Sequence, residues 1–249
     1  AYKDGYIYYA RSYVYDYNTA TYFYSRHFLR YKIGDDTWEI LPDSPQNQAY
    51  DHTSLVLNPD DGLIYVLRGS GYYDLWKFDS SVGTSGAWVG PADFPATIGT
   101  GGNLIWNGET GSNAYLYATR GSNTDTFYRY KISDNSWETL SPTPGLINRD
   151  LKGSYNNGKI YLPNGSSLNT IYIYDVDSGL WSTSATAPAN IYDGSNAIYH
   201  SGTGLVYVTR GGATNTIYVY NPGSDSWGTS IPMTVNGVNY NVNSGGRMI

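Results

Sequence analysis

Three regularities in this 249-residue chain predict an all-β fold: a five-bladed β-propeller of four-stranded antiparallel blades. Five tryptophans, Trp38, Trp88, Trp137, Trp181 and Trp227, recur at intervals of 50, 49, 44 and 46 residues. An aromatic anchor precedes each one. Tyr31, Tyr130, Tyr174 and Tyr220 stand seven residues ahead of their Trp, and Phe78 stands ten ahead of Trp88. A strand ending in glycine precedes four of these anchors (64–69, 116–121, 160–165 and 206–211), and its penultimate residue (Arg68, Arg120, Asn164 or Arg210) lies ten residues before the anchor. A fixed period in this range marks units that bury their faces against one another.

Each unit reads as four strands. The first runs through apolar residues at 54–57, 103–106 and 196–199, and closes on a turn such as Asn58-Pro-Asp-Asp-Gly62 or Asn107-Gly108. The second is the glycine-ended strand. The third alternates with period two up to its anchor, as in Thr170-Ile-Tyr-Ile-Tyr174 and Thr216-Ile-Tyr-Val-Tyr220. The residues between anchor and Trp are rich in Asp, Asn, Ser and Gly, which makes them hairpin turns. The Trp opens the fourth strand, and a Pro-containing exit follows at Pro42, Pro91, Pro142, Pro188 and Pro232.

The ends of the chain predict how the ring closes. Residues 6–11 read as a second strand with no first strand ahead of it, and 244–249 as a first strand with nothing after it. Joined, they complete one blade and leave no open sheet edge. The expectation is a single domain over 1–249, with blades at 1–42 plus 244–249, 50–95, 100–144, 150–188 and 193–232.

Composition narrows the function classes. A net charge of -6 and a pI near 4.9 argue against a nucleic-acid partner, which needs a basic stripe. No apolar run approaches the roughly 20 residues of a membrane span, so no membrane insertion is expected. The absence of cysteine removes disulfides, thiolate metal sites and thiol nucleophiles. Only 14% of residues are charged, while Tyr (28) and Gly (29) abound. That balance, with a start at Ala1 that fits a secreted chain after cleavage or a trimmed one, points to an extracellular or cell-surface setting.

A Gly-ended second strand, then Tyr, six residues, Trp and a Leu-Pro-type exit resembles the kelch repeat over nearly the whole chain. Pro45 followed by His52-Thr53-Ser54 resembles the kelch lead-in to a first strand. Two features depart from that pattern. Only Gly211-Gly212 reproduces the family's double glycine, and five blades are fewer than the usual six or seven. The resemblance implies a module that binds proteins or is associated with glycans, with enzymes a minority; activity resides in loops grafted on the ring.

Blade 1 breaks the repeat. From Arg11 to Tyr31 is twenty residues rather than ten, and the insertion carries Tyr13, Tyr15, Tyr17, Tyr22, Phe23 and Tyr24. It reads either as a long hairpin packing its aromatics on its own blade or as a protruding arm. An arm of Tyr offers large contact area, few rotors and polar tips, which suits docking on a glycan, a partner or another copy. Arg11, Arg68, Arg120 and Arg210 share one position in four blades, with Asn164 in the fifth. They read as blade packing or as a cationic ring for carboxylate or sulfate groups. Asp51, Asp150 and Asp193 lie just ahead of first strands and would stand at the channel mouth, where paired carboxylates could serve glycoside chemistry. His27, His52 and His200 have no metal-ligand spacing, and no metal or cofactor is expected. Nor is a phosphate loop or nucleophile motif present. The turns at Asp36, Asp134, Asp177 and Asp225 read as hairpin turns rather than calcium loops, and Asn164-Gly-Ser166 is one short sequon.

The expected function is a non-enzymatic recognition module, extracellular or at a cell surface, for a glycan or a protein. Alternatives are a structural subunit that assembles copies of itself through the Tyr-rich arm, and a glycoside-active enzyme using Asp51 and Asp193.

Overall fold

The computed structural model describes residues 1–11, 13–47, 53–69, 71–90, 92–149 and 151–242, with only the backbone described at 13 and 14. The chain forms a five-bladed β-propeller of four-stranded antiparallel sheets. Blade 1 comprises Tyr2–Lys3, Tyr6–Ala10, Phe28–Lys32 and Thr37–Leu41. Blade 2 comprises Ser54–Leu57, Leu63–Leu67, Leu75–Asp79 and Ala87–Val89. Blade 3 comprises Asn103–Trp106, Tyr115–Thr119, Phe127–Lys131 and Ser136–Thr139. Blade 4 comprises Ser154–Asn156, Lys159–Pro163, Ile171–Asp175 and Leu180–Thr183. Blade 5 comprises Ser195–His200, Leu205–Thr209, Thr216–Asn221 and Ser226–Trp227. First strands line the centre; Tyr2, Val56, Leu104, Lys152 and Ser154 border a mostly apolar cavity of about 260 Å³. Among the described residues no helix is long and apolar enough to cross a membrane.

The repeat has one cause in register. In every blade the anchor lies directly across from the Trp: Tyr31↔Trp38, Phe78↔Trp88, Tyr130↔Trp137, Tyr174↔Trp181 and Tyr220↔Trp227. Facing aromatics are among the strongest cross-strand pairs, and these rings stand 5.0–5.2 Å apart. The seven-residue step is the length of the turn between them. Its fifth residue takes a left-handed conformation, at Asp36 (φ 55), Asn135 (φ 52), Gly179 (φ 70) and Asp225 (φ 47). That explains the Asp, Asn and Gly found there. Where the residue has a side-chain oxygen, the anchor phenol donates to it: Tyr31 to Asp36, Tyr130 to Asn135 and Tyr220 to Asp225. Burial pushes the Tyr130 phenol up to about 12, so it remains a donor.

Blades 1 to 5 are joined by four seams of common design. Each pools apolar residues of two consecutive blades into one cluster. The second-strand Tyr of one blade meets the anchor of the next: Tyr8–Phe78, Tyr65–Tyr130, Tyr117–Tyr174 and Tyr161–Tyr220, with centroids 6.2–6.4 Å apart. The next blade's indole N–H then donates to a main-chain carbonyl at the previous blade's exit: Trp88 to Pro42, Trp137 to Ala92, Trp181 to Ser141 and Trp227 to Ala185, at 2.8–3.4 Å.

At the N-terminus the structure differs from expectation. Tyr2–Lys3 already pairs with Tyr6–Ile7, across a turn in which Asp4 and Gly5 both have positive φ. Blade 1 therefore has a short first strand of its own. The expected closing strand at 244–249 lies outside the described residues. A two-residue strand, Leu151–Lys152, also pairs in parallel with Ser195–Asn196 ahead of blade 4. At the far end a hairpin absent from the sequence reading, Thr234–Val235 with Val238–Asn239, follows blade 5.

Trp38 is 60% exposed, whereas the other four repeat Trp are half-buried within seams. Trp181→Ala should therefore cost about 3 kcal/mol or more, and Trp38→Ala under about 1 kcal/mol. Urea unfolding of both variants checks this. The Asp225 carboxyl is held below the ordinary carboxylate range, first by the Ala185 N–H across the seam and then by the Tyr220 phenol. A depressed folded value gives stability that is present above the unfolded pKa of about 4 and lost as pH falls through the folded one. Asp225→Asn should accordingly flatten the acid side of the stability–pH curve, read as urea midpoints between about pH 5 and pH 2.

Candidate functional site: an aromatic arm on blade 1

Past Arg11, blade 1 extends into a separate two-stranded hairpin, Tyr13–Asp16 with Thr21–Tyr24, which among the described residues pairs with no other sheet. Its turn is built by Asp16. One carboxylate oxygen accepts the Asn18 N–H at 2.8 Å and the other the Thr19 hydroxyl at 2.9 Å, while Ala20 takes a positive φ. The Asn18 N–H chiefly, with the Thr19 hydroxyl, holds the Asp16 carboxyl below its ordinary range. Tyr15 is the hub of the hairpin, with Tyr17 edge-on at 4.8 Å and its cross-strand partner Tyr22 at 4.6 Å. The base is fixed to blade 1: Arg11 N–H donates to the His27 carbonyl, and the Arg26 Nε to the Ser44 carbonyl at 2.7 Å. His27 Nδ1 lies 3.2 Å from Asp43.

Four of the arm's aromatics are exposed. Tyr17 is 88% exposed, and Tyr22, Phe23 and Tyr24 are exposed as well.

The arm has a neighbour. The loops between second and third strands meet the blade-to-blade connections at one face of the ring, through Tyr72↔Ile98, Thr124↔Ile147, Leu168↔Ile191 and Thr214↔Val242. From the exit residue whose N–H bonds back across the sheet (Phe94, Thr143, Ala187) to that bridge is four residues; from Met233 to Val242 it is nine. The extra length is the 234–239 hairpin. Asn236 and Gly237 both have positive φ, the tight turn that an Asn-Gly pair between valines favours. Asn215 anchors it by donating to Asn239 at 2.9 Å, and Val235, Val238 and Tyr240 are exposed. Both insertions thus rise from the same face.

The arginines occupy equivalent positions with different partners. Arg68 is buried, donates to Gln46 and Asp74 at 2.7 and 3.0 Å, and stacks on Tyr72. Arg120 donates to the Thr97 carbonyl, and Arg210 to the Asn190 carbonyl, beside the Tyr192 ring. Asn164 replaces them in blade 4, donating to the Thr170 carbonyl. It is buried, so the sequon it opens is closed to a glycan in the folded chain. Arg11 alone is exposed.

Asp193 accepts the Gly194 N–H at 3.0 Å, while its carbonyl accepts that of Gly212. Its proposed partners Asp51 and Asp150 lie outside the described residues, as does His52. His200 bonds Thr203 within its own turn. Among the described residues no cluster of His, Cys, Asp and Glu is arranged to hold a metal.

Arg68→Ala should cost about 3 kcal/mol by stranding Asp74 in the loop, and Arg11→Ala less than about 0.5 kcal/mol. Chemical denaturation of the pair distinguishes the two environments.

The chain matches no model of a known protein family, and no curated protein matches it in sequence.

Proposed function

We propose that this propeller is a kelch-like, non-enzymatic recognition module that works outside the cell or at a cell surface and takes a glycan or a protein partner on its aromatic arm. The observation that carries the reading is the exposure of Tyr17, Tyr22, Phe23 and Tyr24 on a hairpin rooted in a rigid ring. Exposed aromatic clusters of this kind mark interaction sites, and Tyr contributes an apolar face for sugar rings or side chains together with a hydroxyl. The Tyr-to-Trp spacing and proline exits support the kelch likeness. The 234–239 hairpin and the Tyr240 that follows it, with three more exposed apolar side chains on the same face, support a binding surface wider than the arm. The same exposure also favours a second reading, in which the arm connects copies of the chain.

A glycan array and affinity capture from an extracellular extract test the proposal. The wild-type chain is expected to show saturable binding that Tyr17→Ala with Tyr22→Ala reduces at least about tenfold, a loss of about 1.4 kcal/mol. Thermal stability should be unchanged. Binding that survives replacement of residues 14–23 by a short Gly-Ser turn overturns the role of the arm. Retained binding together with loss of self-association selects the connector reading.

A further inference from the structure

In the four seams the third-strand residue that faces the second-strand Tyr is Arg30, Lys77, Arg129 and Ile173 in turn. The first three are cations with defined partners. Arg30 and Arg129 turn to a glutamate across their own blade, Glu39 and Glu138, and stack on Tyr6 and Tyr115. Lys77 faces Val89 instead, and its side chain crosses the seam. Its ammonium lies 5.6 Å from the ring centroids of both Tyr65 and Tyr130 and donates to Asn135 Oδ1 at 3.1 Å. Two aromatic rings and a side-chain oxygen thus hold a cation between blades 2 and 3.

The seam between blades 4 and 5 repeats that arrangement without the cation. Tyr161 and Tyr220 stand 6.3 Å apart at 60°, against 6.2 Å and 60° for Tyr65 and Tyr130. Asp225 holds the place of Asn135 and accepts the anchor phenol in the same way. Where blade 2 has Lys77, blade 4 has the shorter Ile173, opposite Ser182. A cavity of about 310 Å³ is left there, bordered by Tyr161, Ile173, Ser182, Tyr220 and Asp225. The Ala185 N–H and the Tyr220 phenol both donate to Asp225 Oδ1, and Oδ2 has no partner among the described residues. Lys159 also borders the cavity, but it is paired with Asp175 of its own blade at 2.8 Å. Among the described residues no cation stands over the ring of Tyr161 or Tyr220. With the Lys159–Asp175 pair neutral, Asp225 sets the charge of the cavity.

We propose that this cavity binds a primary alkylammonium group, supplied by a free amine or by the end of a lysine side chain. The ammonium donates to Asp225 Oδ2 beside the rings of Tyr161 and Tyr220, as Lys77 donates to Asn135 beside those of Tyr65 and Tyr130. Its alkyl stem lies along Ile173. A carboxylate in place of the neutral Asn135 amide suits a cation that arrives from solution. Lys77 is tethered to its site, whereas a free ligand must offset its lost translational freedom with a stronger contact. The cavity lies at the end of the strands away from the arm and is independent of it.

The test is a titration of the whole chain with n-butylammonium, followed by NMR at the Ile173 and Thr183 methyl groups. A saturable shift is expected there, with a dissociation constant on the order of 1 mM. The neutral isostere 1-butanol should bind at least about tenfold more weakly. Asp225→Asn, which keeps the acceptor oxygen, should weaken butylammonium about tenfold. Ile173→Lys supplies a tethered ammonium, as Lys77 does, and should abolish the shift at Thr183. If Ile173→Lys fails to fold, Asp225→Asn and the 1-butanol comparison still decide the question. Acetyl-lysine methylamide separates the sources: tighter binding than butylammonium points to a lysine on a polypeptide, weaker binding to a free amine. The absence of a saturable shift through tens of millimolar overturns the proposal. So does binding that neither variant alters, or a preference for butyrate, which would make Lys159 the ligand group.

Discussion

The contact on which the rest of this structure depends is the pairing of an aromatic anchor with a tryptophan across the two outer strands of each blade. It fixes the register of the outer hairpin and sets the length of its turn. In blades 2 to 5 it also places the indole at the blade edge, where its N–H reaches the preceding blade. A one-residue slip would move the Trp to the opposite face and remove both functions. The aromatic pair contributes to stability beyond its buried area. The hydrogen bond from the indole then gives a half-buried donor its partner.

The seams place chemistry where it can be used. Because the cores lie between blades, the loops at one face need not contribute to stability, and two of them have been lengthened. The arm on blade 1 and the hairpin after blade 5 are secured at their bases by main-chain bonds and by Asn215, while their tips carry apolar side chains in solvent. Under the proposed function, rooted loops with exposed aromatic tips would lower the ordering cost of binding, because little beyond the rings themselves would be immobilised.

Most of the fold could be read from the sequence because each repeated feature answers to a local rule: alternation, left-handed turn residues, and a facing aromatic pair. What escaped lacks such a signature. Tyr2–Lys3 is too short to show alternation, and its Asp4-Gly5 turn reads equally well as a linker. The 234–239 hairpin does carry Asn-Gly between valines, but it lies beyond the last Trp, where the repeat gives no frame. The arginines look equivalent in sequence, yet Arg68 answers to Gln46 and Asp74 while Arg120 and Arg210 answer to main-chain carbonyls. No side-chain pattern announces such an acceptor. The exposure of the arm likewise depends on tertiary placement, since a Tyr-rich hairpin has the same sequence whether it lies flat or stands free.

That acceptor chemistry also bears on how such a chain can change. The four indoles bond to the backbone of Pro42, Ala92, Ser141 and Ala185, four positions occupied by three different residue types and never to a side chain of theirs. A joint that recognises the backbone is indifferent to the identity of the residue supplying it. Units held this way can be copied, exchanged or inserted without a matching substitution in the neighbour, so that their number can drift faster than the rule by which they join. The length and spacing of a unit and its aromatic set, rather than the residue that supplies the carbonyl, are then what inheritance must preserve.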